Sequence, residues 1–398
     1  MNTPFRIVSV VGARPNFMKV APIAAELSKA PEQFASTIVH TGQHYDDKLS
    51  RVFFNDLGMP APDVNLNVGS ASHAQQTAAV MAAFEPVVLE RQPDLVLVVG
   101  DVNSTLACAL VAAKLNIAVA HVEAGLRSFD RTMPEEVNRV LTDRISDVLF
   151  TTEPAGEENL LKEGVSADRI HFDGNVMIDT LLAHRARATA LDVPTTLGLA
   201  RGGYALLTLH RPSNVDVPEV FERLLEAIGA IAREMPVVFP VHPRTRPRLA
   251  SSPAAAALIE GNRLRLLDPL GYLEFVGLLE ASRVVLTDSG GIQEETTILG
   301  VPCLTLRDNT ERPITVSHGT NQVVGTEPSR ILDAWARARS ARGPIQSPPA
   351  WDGRAAERIV DVLRGFAGRQ RRVPSPTVHL GRQLPTSNAQ LPGTPKSR

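Results

Sequence analysis

The sequence alternates along most of its length between short apolar runs and segments with helical patterning. The clearest example lies between residues 95 and 139. Leu95–Val99 and Ile117–Ala120 have the length and β-branched content of buried parallel strands, and Ser104–Leu115 between them has the pattern of a helix. A chain that repeats strand, helix and strand in this way is constrained to an α/β fold with parallel sheets.

Polar residues follow these two strands. Gly100-Asp101 comes after the first strand and His121–Gly125 after the second. Because neighbouring parallel strands end at the same edge of a sheet, where ligands usually bind, we expect Asp101 and Glu123 to lie side by side at one crevice.

The next helix would add more charge to the same crevice. Glu135 and Glu136 open this helix, and Arg139 lies one turn further on. The alternative is structural: Asp101 would cap a helix and Glu123 would pair with Arg127. Spacing alone favours neither reading.

The length of 398 residues predicts two domains. The first alternating series ends near residue 172, and a second series begins with a strand at Tyr204–Thr208. We therefore predict an N-terminal domain over 1–172 and a C-terminal domain over 173–351. A further helix is predicted at 352–369, and residues 370–398 have the Pro-, Arg- and Ser-rich composition of a disordered tail.

Composition excludes several classes of partner. The net charge of −2 makes nucleic acid an unlikely main ligand, and no apolar run approaches the roughly 20 residues of a membrane span. Cys108 and Cys303 lack metal-binding spacing and fit a reducing compartment. No secretory leader precedes the first strand, so we expect a cytoplasmic protein.

The second half contains a candidate phosphate site. Ser289, Gly290 and Gly291 precede a helix, so backbone amides, a hydroxyl and the helix dipole would face an anion there. A tight strand-to-helix turn is the structural alternative. Glu295, one turn later, is suited to accept hydrogen bonds from ribose hydroxyls. Candidate cations lie at neighbouring strand ends, namely His210, His242 and Arg312.

Two loops of the first half carry weaker candidates. Arg14 and Lys19 flank a helix entrance after the first strand, and Gln43 and His44 follow the second strand. The sequence has no metal-binding motif, so no metal and no cofactor are expected. Paired carboxylates with a histidine are typical of proton abstraction and return.

Eight segments, taken in order, resemble the non-hydrolysing UDP-N-acetylglucosamine 2-epimerases. They are GARPNFMKVAP, HTGQHYD, GDVNSTL, HVEAGLRS, MPEEVNR, LHRPSN, DSGGIQEE and TERPITVSHGTN. The resemblance covers nearly all of residues 5–366. It implies two Rossmann-like doubly wound domains of the two-domain glycosyltransferase type, with the active site in the cleft between them. It also implies a homodimer and a C-terminal helix that packs back on the first domain.

The resemblance further implies C2 epimerisation of a UDP-sugar, by elimination of UDP and its re-addition to a 2-acetamidoglucal. Asp101, Glu123 and Glu135 carry over as acid/base carboxylates, with His210 as their partner near the diphosphate. The UDP-binding groups carried over are Arg14, Arg139, His242, Ser289, Gly290 and Glu295. Lys19, Gly291 and Arg312 complete the set of expected substrate-binding residues.

The sequence departs from the best-known bacterial members in two loops. Asn16-Phe17 replaces an acidic residue, and Tyr45-Asp46 replaces the basic stretch that accompanies activation by UDP-N-acetylglucosamine. Gln43 and His44 are therefore only a candidate activator site. The QHYD form also resembles the branch that acts on UDP-2,3-diacetamido-glucuronic acid, so the exact sugar stays open, and a UDP-sugar glycosyltransferase is a further alternative.

Overall fold

The protein is built on two sheets whose strands are all parallel. The computed structural model describes residues 3–42, 56–340 and 347–370, except for the side chain of Arg14. The first sheet has seven strands in the order β3-β2-β1-β4-β5-β6-β7, and the second has six in the order β10-β9-β8-β11-β12-β13. Two doubly wound parallel sheets confirm the predicted fold class.

The first sheet occupies the N-terminal half of the chain. Its strands are β1 (Phe5–Val11), β2 (Phe34–His40), β3 (Val64–Asn65), β4 (Leu95–Val99), β5 (Ala118–Ala124), β6 (Val148–Thr151) and β7 (Ile170–Phe172). The α-helices that alternate with them are Arg14–Ser28, His73–Arg91, Asn103–Lys114, Pro134–Ile145 and Pro154–Lys162, with a 3-10 turn at Ala167–Arg169. All five residues of β4 are buried, as expected of a central parallel strand with helices on both faces.

The second sheet follows after two helices, Val176–Ala190 and Val193–Thr196. Its strands are β8 (Ala205–Thr208), β9 (Val237–Pro240), β10 (Leu264–Leu267), β11 (Val284–Thr287), β12 (Cys303–Thr305) and β13 (Asn321–Val323). The longer α-helices of this half are Pro218–Glu234, Pro253–Glu260, Tyr272–Glu280, Gly290–Leu299 and Pro328–Ala338. Short ones lie at Pro212–Val215, Arg246–Ser251 and Ile314–Ser317.

The strand predicted from Ile117 to Ala120 is longer than its apolar run indicates. It runs from Ala118 to Ala124, because the polar residues His121 and Glu123 are buried within it. The next strand, β6, starts at Val148, because the preceding helix continues to Ile145. The last strand, β13, has the sequence Asn-Gln-Val and therefore offers no apolar run to detect.

The helix Val176–Ala190 joins the two halves. Thr180 Oγ1 donates a hydrogen bond to the Met18 carbonyl at 2.6 Å, which ties the helix to the first half. On the other side, Arg185 forms an ion pair with Glu280 at 2.7 Å, in the second half. Because one helix contacts both sides, the halves share a continuous hydrophobic cluster. The predicted domain boundary near residue 172 stays a prediction.

The last described helix, Ala355–Gln370, lies against the first half. The ring of Phe366 meets Phe5 edge-on at a centroid distance of 6.4 Å. At the start of the helix, the carboxylate of Asp179 accepts hydrogen bonds from the Ala355 and Ala356 amides at 3.1 and 2.7 Å. Among the helices described, none is long and apolar enough to cross a membrane.

Candidate functional site

Asp101 lies directly beyond the carboxyl end of β4. Gly100 before it adopts a left-handed conformation with φ of 66°, which turns the chain sharply at the strand end. The Asp101 carboxylate forms an ion pair with Arg139, and the side-chain Nδ2 of Asn138 donates a hydrogen bond to the Asp101 backbone carbonyl at 2.9 Å. Burial opposes ionisation, but Arg139 and Lys19 outweigh it and lower the pKa of Asp101 below its ordinary value. The carboxylate is therefore ionised at neutral pH.

Glu123 lies beside it near the end of β5. Its side chain is buried, and it forms ion pairs with Lys19 Nζ at 2.6 Å and with Arg312 Nη2 at 3.0 Å. The alternative pairing with Arg127 is wrong, because Arg127 is held by Asp143 and Glu163 instead. Since Arg312 comes from the second half of the chain, Glu123 lies where the two halves meet.

The two glutamates that open the helix Pro134–Ile145 have different surroundings. Glu136 is buried and accepts hydrogen bonds from the Ser128 and Phe129 amides at 2.9 and 3.0 Å, which fixes the preceding loop. Glu135 is half-buried and forms no hydrogen bond or ion pair with any residue that the structure describes. It lies one turn before Arg139 on the same helix face, and Arg139 binds Asp101. Glu135 is thus available for a ligand on the side where Asp101 lies.

Arg312 is the central cation of this region. Besides Glu123, it contacts Glu294 at 2.7 Å and Glu311 at 2.6 Å. Burial opposes its charge, but these carboxylates raise the pKa of Arg312 well above its ordinary value. Glu311 also contacts Arg307 at 2.8 Å; against the effect of burial, the two arginines hold the pKa of Glu311 well below its usual range. The sequence analysis did not single out Glu311.

Glu153 is a second residue that the sequence analysis missed. It follows β6 and is 1% exposed. Burial raises its pKa to about 8, although the nearby Arg312 acts in the opposite direction. The group is therefore largely neutral at pH 7. Its position after a strand, like that of Asp101, was the available signal.

The predicted phosphate turn lies against Arg312. Ser289 precedes the helix Gly290–Leu299, whose first amides have no partner within the helix. A Cβ atom on Gly290 would come within 2.4 Å of Arg312 Nη1 and 2.7 Å of Glu311 Oε1, whereas one on Gly291 would meet only Met177 Cε at 3.8 Å. Only glycine at position 290 lets the guanidinium approach the start of the helix this closely. The turn thus combines free amides, a helix dipole and a buried cation.

His210 lies at the end of β8 and is held by a buried carboxylate. Its Nδ1 atom is 2.8 Å from Asp288 Oδ1, and Asp288 also accepts from the Arg211 amide at 2.9 Å. Burial opposes the charge of Asp288, but His210 and the surrounding amides lower its pKa. The imidazole, with its side chain 39% exposed, keeps Nε2 for a ligand. The exposed ring of His242 lies 5.7 Å away, centroid to centroid.

Two sets of predicted residues remain, and one further residue, Asn16, was not predicted. Glu295 is buried, and burial raises its pKa to about 8, so it carries a proton that it can donate in a hydrogen bond. The side chain of Arg14, together with Gln43 and His44, lies outside the described part of the structure. Asn16 departs from the family pattern of the first loop. Its side chain accepts hydrogen bonds from the Gly12 and Ala13 amides and donates one to the Val99 carbonyl at 2.9 Å.

The site thus brings together Asp101, Glu123, Lys19 and Arg139 from the first half with Arg312 from the second. In the described ranges, no group of three or more His, Cys, Asp or Glu side chains is arranged to hold a metal ion.

Known proteins share this architecture. The family model described as UDP-N-acetylglucosamine 2-epimerase matches residues 25–364. A UDP-N-acetylglucosamine 2-epimerase homolog from Methanococcus maripaludis is 43% identical, over 91% of this chain and 100% of its own. A UDP-2,3-diacetamido-2,3-dideoxy-D-glucuronate 2-epimerase from Pseudomonas aeruginosa is 41% identical, over 90% of this chain and 99% of its own.

A solved structure agrees in fold. The UDP-GlcNAc 2-epimerase of Methanocaldococcus jannaschii, crystallised with UDP-GlcNAc and UDP, superposes with a TM-score of 0.85 at 42% identity, covering 90% of this chain and 99% of that one. The protein described here therefore belongs to the UDP-N-acetylglucosamine 2-epimerase family, a family of isomerases.

Proposed function

We propose that the protein interconverts UDP-N-acetylglucosamine and UDP-N-acetylmannosamine by eliminating UDP and adding it back. The observation that carries this proposal is the ion pair between Glu123 and Arg312 at 3.0 Å. It puts a carboxylate of the first half next to a cation that lies against the glycine turn of the second half. A proton-transfer group and a diphosphate-binding group would then act on adjacent carbons of one sugar.

Each half-reaction balances in atoms and electrons. A carboxylate takes the proton from C2, the electrons of the C2–H bond form the C1=C2 double bond, and the bond from C1 to the diphosphate oxygen breaks with its electron pair leaving on UDP. UDP then adds back to C1 while C2 receives a proton on the opposite face. Because the C2 proton is weakly acidic, the departing diphosphate needs stabilisation as its charge develops.

The second half offers that stabilisation. The amides of Gly290 and Gly291, the guanidinium of Arg312 and the Nε2 atom of His210 would face the diphosphate. A neutral Glu295 would hydrogen-bond the ribose. On the first half, we propose Asp101, Glu123 and Glu135 as the acid/base carboxylates and Arg14, Lys19 and Arg139 as groups that fix the substrate. His242 would extend the anion site beyond His210.

A product assay tests the proposal. Purified protein is incubated with UDP-N-acetylglucosamine alone, and the reaction is followed by proton and phosphorus NMR. The proposal predicts new signals of UDP-N-acetylmannosamine that reach a constant ratio with the substrate. Free UDP together with free N-acetylmannosamine would indicate a hydrolysing enzyme. No reaction without an added acceptor would favour a transferase.

A second candidate substrate is UDP-2,3-diacetamido-2,3-dideoxyglucuronic acid. Its support is that the Pseudomonas relative named for this sugar is 41% identical to the chain, against 43% for the Methanococcus protein. Because overall identity does not separate the two branches, both sugars are assayed side by side. A kcat/KM at least about tenfold higher for one sugar would assign the substrate.

The family also suggests a homodimeric, cytoplasmic enzyme that supplies cell-surface polysaccharide synthesis. We propose these properties on the resemblance alone. Light scattering at micromolar concentration tests the dimer, and fractionation of the source cells tests the location.

A further inference from the structure

One buried carboxylate holds the backbone on both sides of Glu123. Asp143, which is 1% exposed, lies on the helix Pro134–Ile145. Its Oδ1 atom is 2.7 Å from His121 Nδ1, and its Oδ2 atom accepts from the Gly125 amide at 3.1 Å. His121 and Gly125 stand two residues before and two residues after Glu123. The two oxygens of Asp143 therefore fix both ends of the segment that presents Glu123.

That segment has an unusual backbone. Glu123 adopts a left-handed conformation with φ of 73°, which is uncommon for any residue other than glycine. The pairing of β5 with β6 shifts register between Val122 and Ala124, so Glu123 lies in a bulge. Bulges of this kind redirect side chains next to functional sites. Such a conformation is unfavourable in itself and persists only where its surroundings determine it.

His121 also connects Asp143 to the segment that precedes Asp101. Its Nε2 atom lies 2.8 Å from the Gly100 carbonyl, while Nδ1 faces Asp143. Both neighbours of the ring are hydrogen-bond acceptors, and Asp143 is also in contact with Arg127 at 2.7 Å. The His121 ring thus joins the Asp143 carboxylate to the carbonyl that directly precedes Asp101.

We propose that Asp143 is a positioning residue for the epimerisation. Through His121 and the Gly125 amide, it holds Glu123 in its left-handed conformation and fixes the turn that presents Asp101. It does not contact the substrate. The proposal rests on the proposed function, because it gives Asp143 its role through the two carboxylates assigned there.

The test is Asp143→Asn, which keeps the size of the side chain and removes its charge. We expect kcat to fall about 10- to 100-fold, as for other supporting partners of active-site groups, with KM and the affinity for UDP within about twofold of wild type. Asp147→Asn is the matched control. Asp147 accepts from the Val119 amide at 2.9 Å, near the opposite end of the same strand, so this variant should keep its kcat.

A spectroscopic measurement does not depend on turnover. In wild type, nitrogen NMR should show the Nδ1 atom of His121 carrying a proton in a hydrogen bond to Asp143, and in Asp143→Asn the signal of this nitrogen should shift. A His121 whose Nδ1 atom carries no proton in wild type would overturn the proposal even if the variant failed to fold. An active wild type with an equally active Asp143→Asn would also overturn it. A wild type that turns over neither UDP-sugar would instead overturn the proposed function, and this inference with it.

Discussion

The protonation of Glu153 leads to a prediction about stability that is opposite to the usual effect of a core substitution. Glu153 lies just beyond the end of β6 and is 1% exposed. Burial raises its pKa to about 8 from an ordinary value of 4.5. Glu153→Gln replaces the neutral acid with a neutral amide of the same shape. At low pH the two proteins should therefore have similar free energies of unfolding.

The difference appears as the pH rises. The folded state binds the Glu153 proton more tightly than the unfolded state, so wild type loses stability from about pH 4.5 up to the folded pKa of about 8. At about 1.4 kcal/mol for each tenfold difference in proton affinity, the full penalty is on the order of 5 kcal/mol above pH 8, and more than half of it develops above pH 6. The glutamine variant does not incur it.

Urea unfolding at pH 5, 6, 7, 8 and 9 measures this difference. We expect the free energy of unfolding of Glu153→Gln to exceed that of wild type at both pH values, and the excess to be roughly 3 kcal/mol larger at pH 9 than at pH 6, in keeping with the linkage relation. Other buried acids such as Glu295 and Asp173 are present in both proteins, so their contributions cancel. Glu157→Gln, an exposed change in the next helix, is the control and should follow wild type at every pH. A stability difference that does not change with pH would refute the reasoning.

Three further predictions concern the glycine turn, the histidine pair and the C-terminal helix. Gly290→Ala should weaken the binding of UDP at least about tenfold, measured by calorimetry, because the added Cβ atom would lie 2.4 Å from Arg312 Nη1. In the control Gly291→Ala the Cβ atom has room, so UDP should bind normally, and equal affinities of the two variants would contradict this arrangement of the turn. Asp288→Asn should lower kcat on the order of 100-fold at saturating substrate, because His210 loses the carboxylate that orients it. An unchanged kcat would show that Asp288 does not orient His210 for the reaction. Asp179→Asn should lower the free energy of unfolding, measured by urea titration, by about 1–2 kcal/mol, because the Ala355 and Ala356 amides lose a carboxylate acceptor. A variant as stable as wild type would show that these contacts do not anchor the helix.

The sequence predicted the sheets well because buried parallel strands are apolar runs. Leu95–Val99 was located residue for residue, since all five side chains are buried. The prediction of β5 stopped at Ala120, because the strand continues through buried polar residues whose partners come from elsewhere in the chain. His121 is satisfied by Asp143 and Glu123 by Lys19 and Arg312, and no local pattern shows such contacts.

The sequence predicted which residues lie in the site more completely than which of them contact one another. The rule that places polar residues at strand ends identified Asp101 and Glu123, and applied to β6 it would also have identified Glu153. Sequence spacing could not show that Glu136 holds a loop while Glu135 forms no hydrogen bond or ion pair within the described part of the chain, because the two are adjacent and chemically alike. Glu311 pairs with Arg307 and Arg312 of its own loop, and the course of that loop, on which both contacts depend, follows no strand or helix periodicity.

The most direct test of the central claim is the position of solvent hydrogen in the product. In the proposed reaction, a carboxylate removes the C2 proton in the cleft where the diphosphate departs, and a proton returns to the other face. Run in deuterated water, the reaction should give an epimer that carries deuterium at C2. An epimer that forms at the normal rate and retains its original hydrogen at C2 would contradict it.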